Sequence, residues 1–333
     1  MKIFSLPGLL VLALLASPIA AHAYAYTDLY VFGDSLSDQG NVSLLTGGAI
    51  PPGEYTDGTT RGRFTNGKNY VDYLAADLGL SVTPSLLGGT NFAYGGARTN
   101  YHVLPNPAAL SLLQQRDAYL TSLGGRAADA NALYLVWAGA NNFADVFSRL
   151  RSDPFYNPTA DLLGAGSDIA HTIASLAAAG AQHIIAPNIP DLGLVPAVTG
   201  GGPRNPAVSS LVANFNLGLE QALQGIELAF PDTEIIRIDA FALLNGLYQD
   251  PAGNGFTNNT LGCYSLYVRP GGTTCANPDE YIFWDLDHPT SATHRILATH
   301  IARAVPEPAS VVLMLAGGGI LLLVLRRRAR ARC

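Results

Sequence analysis

Short apolar runs punctuate the chain and alternate with stretches of helical period. Leu29-Tyr30-Val31-Phe32 ends in Gly33, as a buried strand entering a tight turn does. Residues 133–137 form a second such run, followed closely by Gly139, and residues 182–187 and 234–238 form a third and a fourth. Between them Tyr70, Tyr73, Leu74 and Leu78 fall three and four apart, predicting a helix over 69–80; further helices are expected over 162–179, 208–230 and 290–304. Strands that are apolar throughout are covered on both faces, and strand–helix alternation predicts a mainly parallel sheet between two helical layers. The expected fold is therefore α/β, a three-layer α/β/α sandwich. Ligands in such folds bind beyond the carboxyl ends of the strands, where Gly33 and Gly139 fall. Residues 40–65 and 249–280, rich in Gly, Asn, Thr and Pro, are expected as long loops rimming that end.

The two ends break this pattern. Residues 1–23 carry one lysine, an apolar run and a closing Ala-His-Ala, the three-part layout of a secretory signal peptide. Near the other end Val305-Pro306-Glu307-Pro308-Ala309-Ser310 precedes an apolar run at the short limit for a transmembrane helix. Five arginines follow (Arg326, Arg327, Arg328, Arg330, Arg332), and they would hold that end on the cytoplasmic side. This tripartite tail, residues 305–333, resembles the PEP-CTERM sorting signal of Gram-negative bacteria. The resemblance implies export, an inner-membrane-anchored intermediate and processing by an exosortase. The product would then reside at the cell surface, in the extracellular matrix or free as a secreted protein. The expected division is leader 1–23, globular domain 24–304 and tail 305–333.

Charge sharpens with this division. The whole chain of 333 residues has 19 basic and 25 acidic side chains, a net charge of −6. Without leader and tail, 24 acidic and 13 basic remain. Nothing in that balance supports a nucleic-acid partner. A 48% apolar content excludes a disordered chain.

Four short blocks carry candidate chemistry. Gly33-Asp34-Ser35-Leu36-Ser37-Asp38 follows the first strand, where a serine presents its hydroxyl and a backbone N–H together, the two groups that acyl transfer requires; alone, it equally suits a helix N-cap. Asn91-Phe92-Ala93-Tyr94-Gly95-Gly96-Ala97 and Gly139-Ala140-Asn141-Asn142 offer backbone and amide N–H donors, or simply loop turns. Trp284-Asp285-Leu286-Asp287-His288-Pro289-Thr290 sets a base at His288 three residues after Asp285, whose carboxylate can turn back to orient the imidazole. Asp287 is expected to point away from that ring. His294 and His300 are expected as structural or surface residues of the last helix. No HExxH or comparable spacing is present, so no metal is expected.

The order of these blocks resembles the SGNH, or GDSL, hydrolase family, from Thr27 to Ala304, and most closely its secreted phospholipase, lecithinase and haemolysin-like branch. The resemblance implies a flavodoxin-like fold with no cofactor. It implies Ser35 as nucleophile, His288 as general base and Asp285 as its orienting partner. Ser35, Gly96 and Asn141 would form the oxyanion hole, with Gly95 as the adjacent alternative to Gly96. The third block usually reads Gly-x-Asn-Asp, so Asn142 departs from it. The loss of a charge organising the local turn is expected to alter activity quantitatively. The implied substrate is an ester or lipid, cleaved through an acyl-enzyme. Two other readings stand beside it: an O-acetyl esterase or acyltransferase acting on cell-surface polysaccharide, and a non-catalytic envelope-associated binding or structural protein. Export predicts a disulfide between Cys263 and Cys275, tethering the loop that delivers Asp285 and His288; the alternative is two unpaired thiols.

Overall fold

The structure, a computed structural model, describes residues 26–104, 106–153, 155–264 and 274–306. The expected leader, the expected transmembrane run and the arginine cluster lie outside the described residues. Among those described, no helix is long and apolar enough to cross a membrane.

Four parallel strands form the central sheet in the order β1 (Leu29–Gly33), β2 (Leu133–Trp137), β3 (His183–Pro187) and β4 (Glu234–Ile238). Their register aligns the carboxyl ends, Gly33 opposite Trp137 and Pro187 opposite Ile238. On the free side of β1, Val31 also bridges to Asn91 in parallel, which brings the second sequence block to the sheet.

The helices are α1 (Asn41–Leu45), α2 (Tyr70–Leu78), α3 (Leu112–Ser122), α4 (Ala140–Ser152), α5 (Thr159–Ala179), α6 (Pro196–Thr199), α7 (Pro206–Ala229), α8 (Ala240–Gln249) and α9 (Ser291–Ala304). Alternate strand residues serve opposite layers. Phe32, Tyr134, Val136, Ile184 and Ile235 pack with Tyr119 of α3, Ile173 of α5 and Leu223 of α7. Leu29, Val31, Leu133, Leu135, Ile185 and Ile236 pack with Val71 of α2 and Leu297 and Ile301 of α9. This is why the strand interiors read as apolar runs, with polar residues only where β3 and β4 reach the surface at His183, Glu234 and Arg237.

Helix ends follow local chemistry. Asn69 and Asp72 form a reciprocal capping box at the start of α2, and Gly79 closes it in the left-handed conformation. Thr290 caps α9 through Thr293 N–H, so that helix begins immediately after the His288 block. The hydroxyl of Tyr26, before β1, donates to the Pro306 carbonyl just after α9 (3.1 Å), so the two ends of the described domain meet.

The expected loop 249–280 differs from the structure. It contains β5 (Asn258–Gly262), which pairs in parallel with β6 (Tyr281–Phe283). The sequence Asn-Asn-Thr-Leu-Gly has no apolar periodicity because β5 lies at the surface beside the more deeply buried β6. Cys263 and Cys275 are joined as a disulfide directly after β5. The expected loop 40–65 likewise contains α1.

Candidate active site

The Ser35 turn is fixed by a close approach of backbone to backbone. A Cβ on Gly33 would lie 2.4 Å from the Trp137 carbonyl oxygen, so only glycine lets β1 end against β2. The chain then turns, with Ser37 and Asp38 N–H groups donating to the Asp34 carbonyl. Asp38 is fully buried and its carboxylate accepts four backbone N–H groups. Oδ1 takes Gly40 and Asn41 (2.7 Å each), and Oδ2 takes Val42 (3.1 Å) and Gly95 (2.9 Å). One side chain thereby joins the Ser35 block to the Gly95-Gly96 block. Burial pushes the Asp34 carboxyl up to about 6, against the Leu36 N–H bond and the His288 charge that favour its ionised form.

His288 arrives on the turn between β6 and α9, closed by the Trp284 N–H on the His288 carbonyl (2.7 Å) and the Thr290 N–H on the Ile282 carbonyl. Asp285 folds back within that turn. Its Oδ1 accepts the Asp287 and His288 N–H groups (2.9 and 2.7 Å), and its Oδ2 accepts His288 Nδ1–H (2.7 Å) and the Tyr55 hydroxyl (2.7 Å). With Nδ1 protonated toward Asp285, Nε2 of the neutral ring is an acceptor, and Ser35 Oγ lies 2.8 Å from it. Burial disfavours the imidazolium, but the Asp285 charge and then that of Asp287 outweigh it and raise His288 above the usual imidazole range. Burial likewise works against the Asp285 carboxylate; His288 and the two N–H groups outweigh it and hold Asp285 well below the usual carboxylate range.

Asp287 corrects an expectation. It does not turn away from the ring: its Oδ1 lies 3.2 Å from His288 Nδ1. Its side chain is 60% exposed against 6% for Asp285, so water screens it and Asp285 remains the closer, buried partner.

Gly95 and Gly96 separate in the structure. The Gly95 N–H is taken by Asp38 and its carbonyl accepts His102 Nε2–H (2.9 Å), while His102 Nδ1 accepts the Leu104 N–H (2.9 Å). The Gly96 φ is +82°, a conformation suited to glycine, and its carbonyl is held by Arg98 (2.9 Å), itself paired in bidentate fashion with Asp145. Asn141, in the first turn of α4, uses one amide N–H on the Ala97 carbonyl (3.1 Å) and keeps the other. Ser35, Asn141 and His288 border one pocket; Gly96 is not part of its wall.

Asn142 also departs from expectation. Rather than organising its own turn, it reaches across to Thr99. Its Oδ1 accepts the Thr99 N–H (3.1 Å) and its Nδ2 donates to Thr99 Oγ1 (3.2 Å), whose hydroxyl donates in turn to Asp168 (2.7 Å). A negative charge is present here after all, one link further on. His294 is buried and stacked on Tyr70, and burial pulls its imidazole down to about 3; His300 is exposed on α9.

Asp285, Asp287 and His288 bring potential ligand atoms within 4.8 Å of one another. His288 offers both nitrogens to Asp285 and Ser35 already, so a metal there would displace the hydrogen-bonded line. Asp38, Tyr55 and Arg98 are functional supports that sequence reasoning missed. Asp38 lay inside a quoted block, but its partner Gly95 is 57 residues away, and Tyr55 is 230 residues from Asp285.

Residues 29–301 match the family model described as GDSL-like lipase/acylhydrolase. The chain belongs to that family. A second match, over residues 304–328, is to the PEP-CTERM protein-sorting motif, the mark of an exported Gram-negative protein. Curated relatives include Lipase 1 of Photorhabdus luminescens, 28% identical over 92% of this chain; the chain spans 54% of that protein. GDSL esterase/lipase APG of Arabidopsis thaliana is 29% identical over 81% of this chain and 88% of its own length. Acetylajmalan esterase 2 of Rauvolfia serpentina is 27% identical over 83% and 89%. Membership in this family makes the chain a carboxylic ester hydrolase.

Proposed function

We propose that the GDSL domain hydrolyses carboxylic esters with Ser35 as nucleophile, His288 as general base and Asp285 as orienting carboxylate. The observation that carries this reading is the line from Asp285 Oδ2 through His288 to Ser35 Oγ, with hydrogen bonds of 2.7 and 2.8 Å. Ser35 Oγ attacks the ester carbonyl as Nε2 takes its proton. The tetrahedral oxyanion is met by the Ser35 and Gly96 N–H groups and the free Asn141 amide N–H, and one such donor is worth about 3–4 kcal/mol. The imidazolium then protonates the departing alcohol, leaving an acyl-enzyme. Water, deprotonated by His288, releases the acid and restores Ser35. Asp285 keeps Nδ1 protonated and stabilises the imidazolium throughout.

Delivery follows from the ends: residues 1–23 direct export, and residues 305–333 hold an inner-membrane-anchored intermediate until an exosortase acts, releasing a domain of residues 24–304 to the cell surface, matrix or medium. That route also supports a second reading, de-O-acetylation or acyl transfer on surface polysaccharide.

Labelling with a fluorophosphonate, followed by peptide mass spectrometry, tests the assignment. Adduct on Ser35 in wild type and none in Ser35→Ala is expected, with p-nitrophenyl butyrate hydrolysis lost in the variant. Equal turnover by both proteins would overturn the assignment of Ser35, and a wild type with neither adduct nor turnover would point to a non-catalytic scaffold.

A further inference from the structure

Two clefts meet at His288, and they differ in what borders them. The first, already noted beside Ser35 and Asn141, is walled by three elements that follow strand carboxyl ends. Asn141, Ala144 and Phe147 lie three residues apart on one face of α4. Leu243, Leu244 and Leu247 come from α8, and Leu192, Val195 and Val198 from the turn into and through α6. Beyond the reacting groups this wall is almost entirely aliphatic and aromatic. The second cleft touches His288 and Asp285 but neither Ser35 nor Asn141, and is bordered by Ile50, Pro51, Pro52, Tyr55 and Phe64.

An ester carbonyl at Ser35 has two substituents to place. The alcohol oxygen must face His288 Nε2 to receive its proton, whereas the acyl carbon chain continues from the carbon whose oxygen Asn141 meets. We propose that the α4–α6–α8 cleft is the acyl subsite and takes an unbranched fatty-acyl chain, with the alcohol portion leaving along the Pro51–Phe64 cleft. This rests on the roles of Ser35 and His288 proposed above.

Size bounds the chain length. The volume open to the centres of water-sized molecules is about 130 Å³. Bulk water takes about 30 Å³ per molecule, and a volume swept by molecular centres is smaller than the envelope they fill, so the cleft has room for at least about four. A methylene group is close to a water molecule in bulk, so the cleft takes a chain of at least about four carbons, and the length at which kcat/KM turns over reads its limit. An acetyl group would leave most of this apolar wall wet, which makes acetylated glycans poor substrates.

The test compares kcat/KM across ester series for wild type, Ser35→Ala, Ala144→Trp and Ala197→Trp. Ala144 and Ala197 both line the cleft and are exposed, so the added rings fill it without entering the core. For wild type, kcat/KM on p-nitrophenyl esters is expected to rise about fourfold per methylene up to the limit, the equivalent of burying each CH₂, and then to fall. Methyl octanoate should exceed octyl acetate at least tenfold. In both tryptophan variants the octanoate-to-acetate ratio should drop at least tenfold. Ser35-dependent hydrolysis with acetate as the best acyl group, with octyl acetate preferred, or with an unchanged ratio in the tryptophan variants would overturn the subsite assignment while leaving the nucleophile standing. Activity unchanged in Ser35→Ala would remove the foundation of both.

Discussion

Replacing Asp38 by asparagine tests how the nucleophile turn and the glycine block are held together. The carboxylate accepts two N–H groups on each oxygen, and among the described residues no cation pairs with it. An asparagine amide offers one acceptor oxygen, so its NH₂ must face either Gly40 and Asn41 or Val42 and Gly95. Two buried N–H donors lose their acceptor in either orientation. Each orphaned group costs about 1–3 kcal/mol, so the expected destabilisation is about 4 kcal/mol. For a domain of this size that is roughly 8–16 °C in Tm. If the Gly95 side is lost, Gly96 keeps only its Arg98 contact and kcat/KM on p-nitrophenyl butyrate should fall by up to about a hundredfold, as for one lost oxyanion donor on the proposed role of Gly96. Asp34→Asn is the control: an amide oxygen still accepts the Leu36 N–H, so stability should change by less than about 1 kcal/mol. Thermal unfolding by circular dichroism and steady-state kinetics read both effects. An Asp38→Asn protein that melts with wild type and retains full turnover would refute the idea that this carboxylate joins the two blocks.

Further expectations concern the same site. On the proposed role of His288 the base must be neutral, so kcat/KM is expected to fall as pH drops through the His288 titration, which Asp285 and Asp287 both raise. Asp287→Asn removes one of those charges and should move the acidic limb of the pH profile to lower pH, an effect that shrinks in high salt; a limb that stays put or moves up contradicts the role of Asp287. Asn142→Asp loses the donor to Thr99 Oγ1 and sets two carboxylates against one hydroxyl, costing about 1–2 kcal/mol by urea unfolding. Asp168→Asn in the same chain should restore most of it, and strictly additive effects would show the two residues to be uncoupled. Replacing Cys263 and Cys275 together by serine opens a short covalent loop and should lower stability by about 2–3 kcal/mol, with chemical denaturation as the measure.

The central sheet was legible because its strands have a covered face on each side. Tyr134 serves one helical layer and Leu135 the other, so neither polar alternation nor turn residues interrupt the run. Surface β5 has no such signature. The start of α4 was hidden for a different reason: Ala140, Asn141 and Asn142 look like a loop, and they are helical only because Gly139 turns the chain off β2. The start of α3 does carry a local sign, the capping box of Ser111 and Gln114. In the site, residue types within each block were readable, and so was the alternative between Gly95 and Gly96. What distinguishes the two glycines is the acceptor taken by the Gly95 N–H, a contact between distant segments. The same holds for Tyr55, whose hydroxyl meets Asp285 only after the chain has closed on itself.

That closure, the bond from Tyr26 to Pro306, bears on gene order. Since the domain's ends touch, the linear sequence in which serine, asparagine and histidine are translated is not a requirement of the chemistry. A circularly permuted gene, joined across Tyr26 and Pro306 by a short linker and opened at the exposed Gly124-Gly125 turn, would make β2 first and the Ser35 segment last. Hydrolysis by such a permutant would show the site to be a property of the assembled sheet rather than of the direction in which the ribosome reads it.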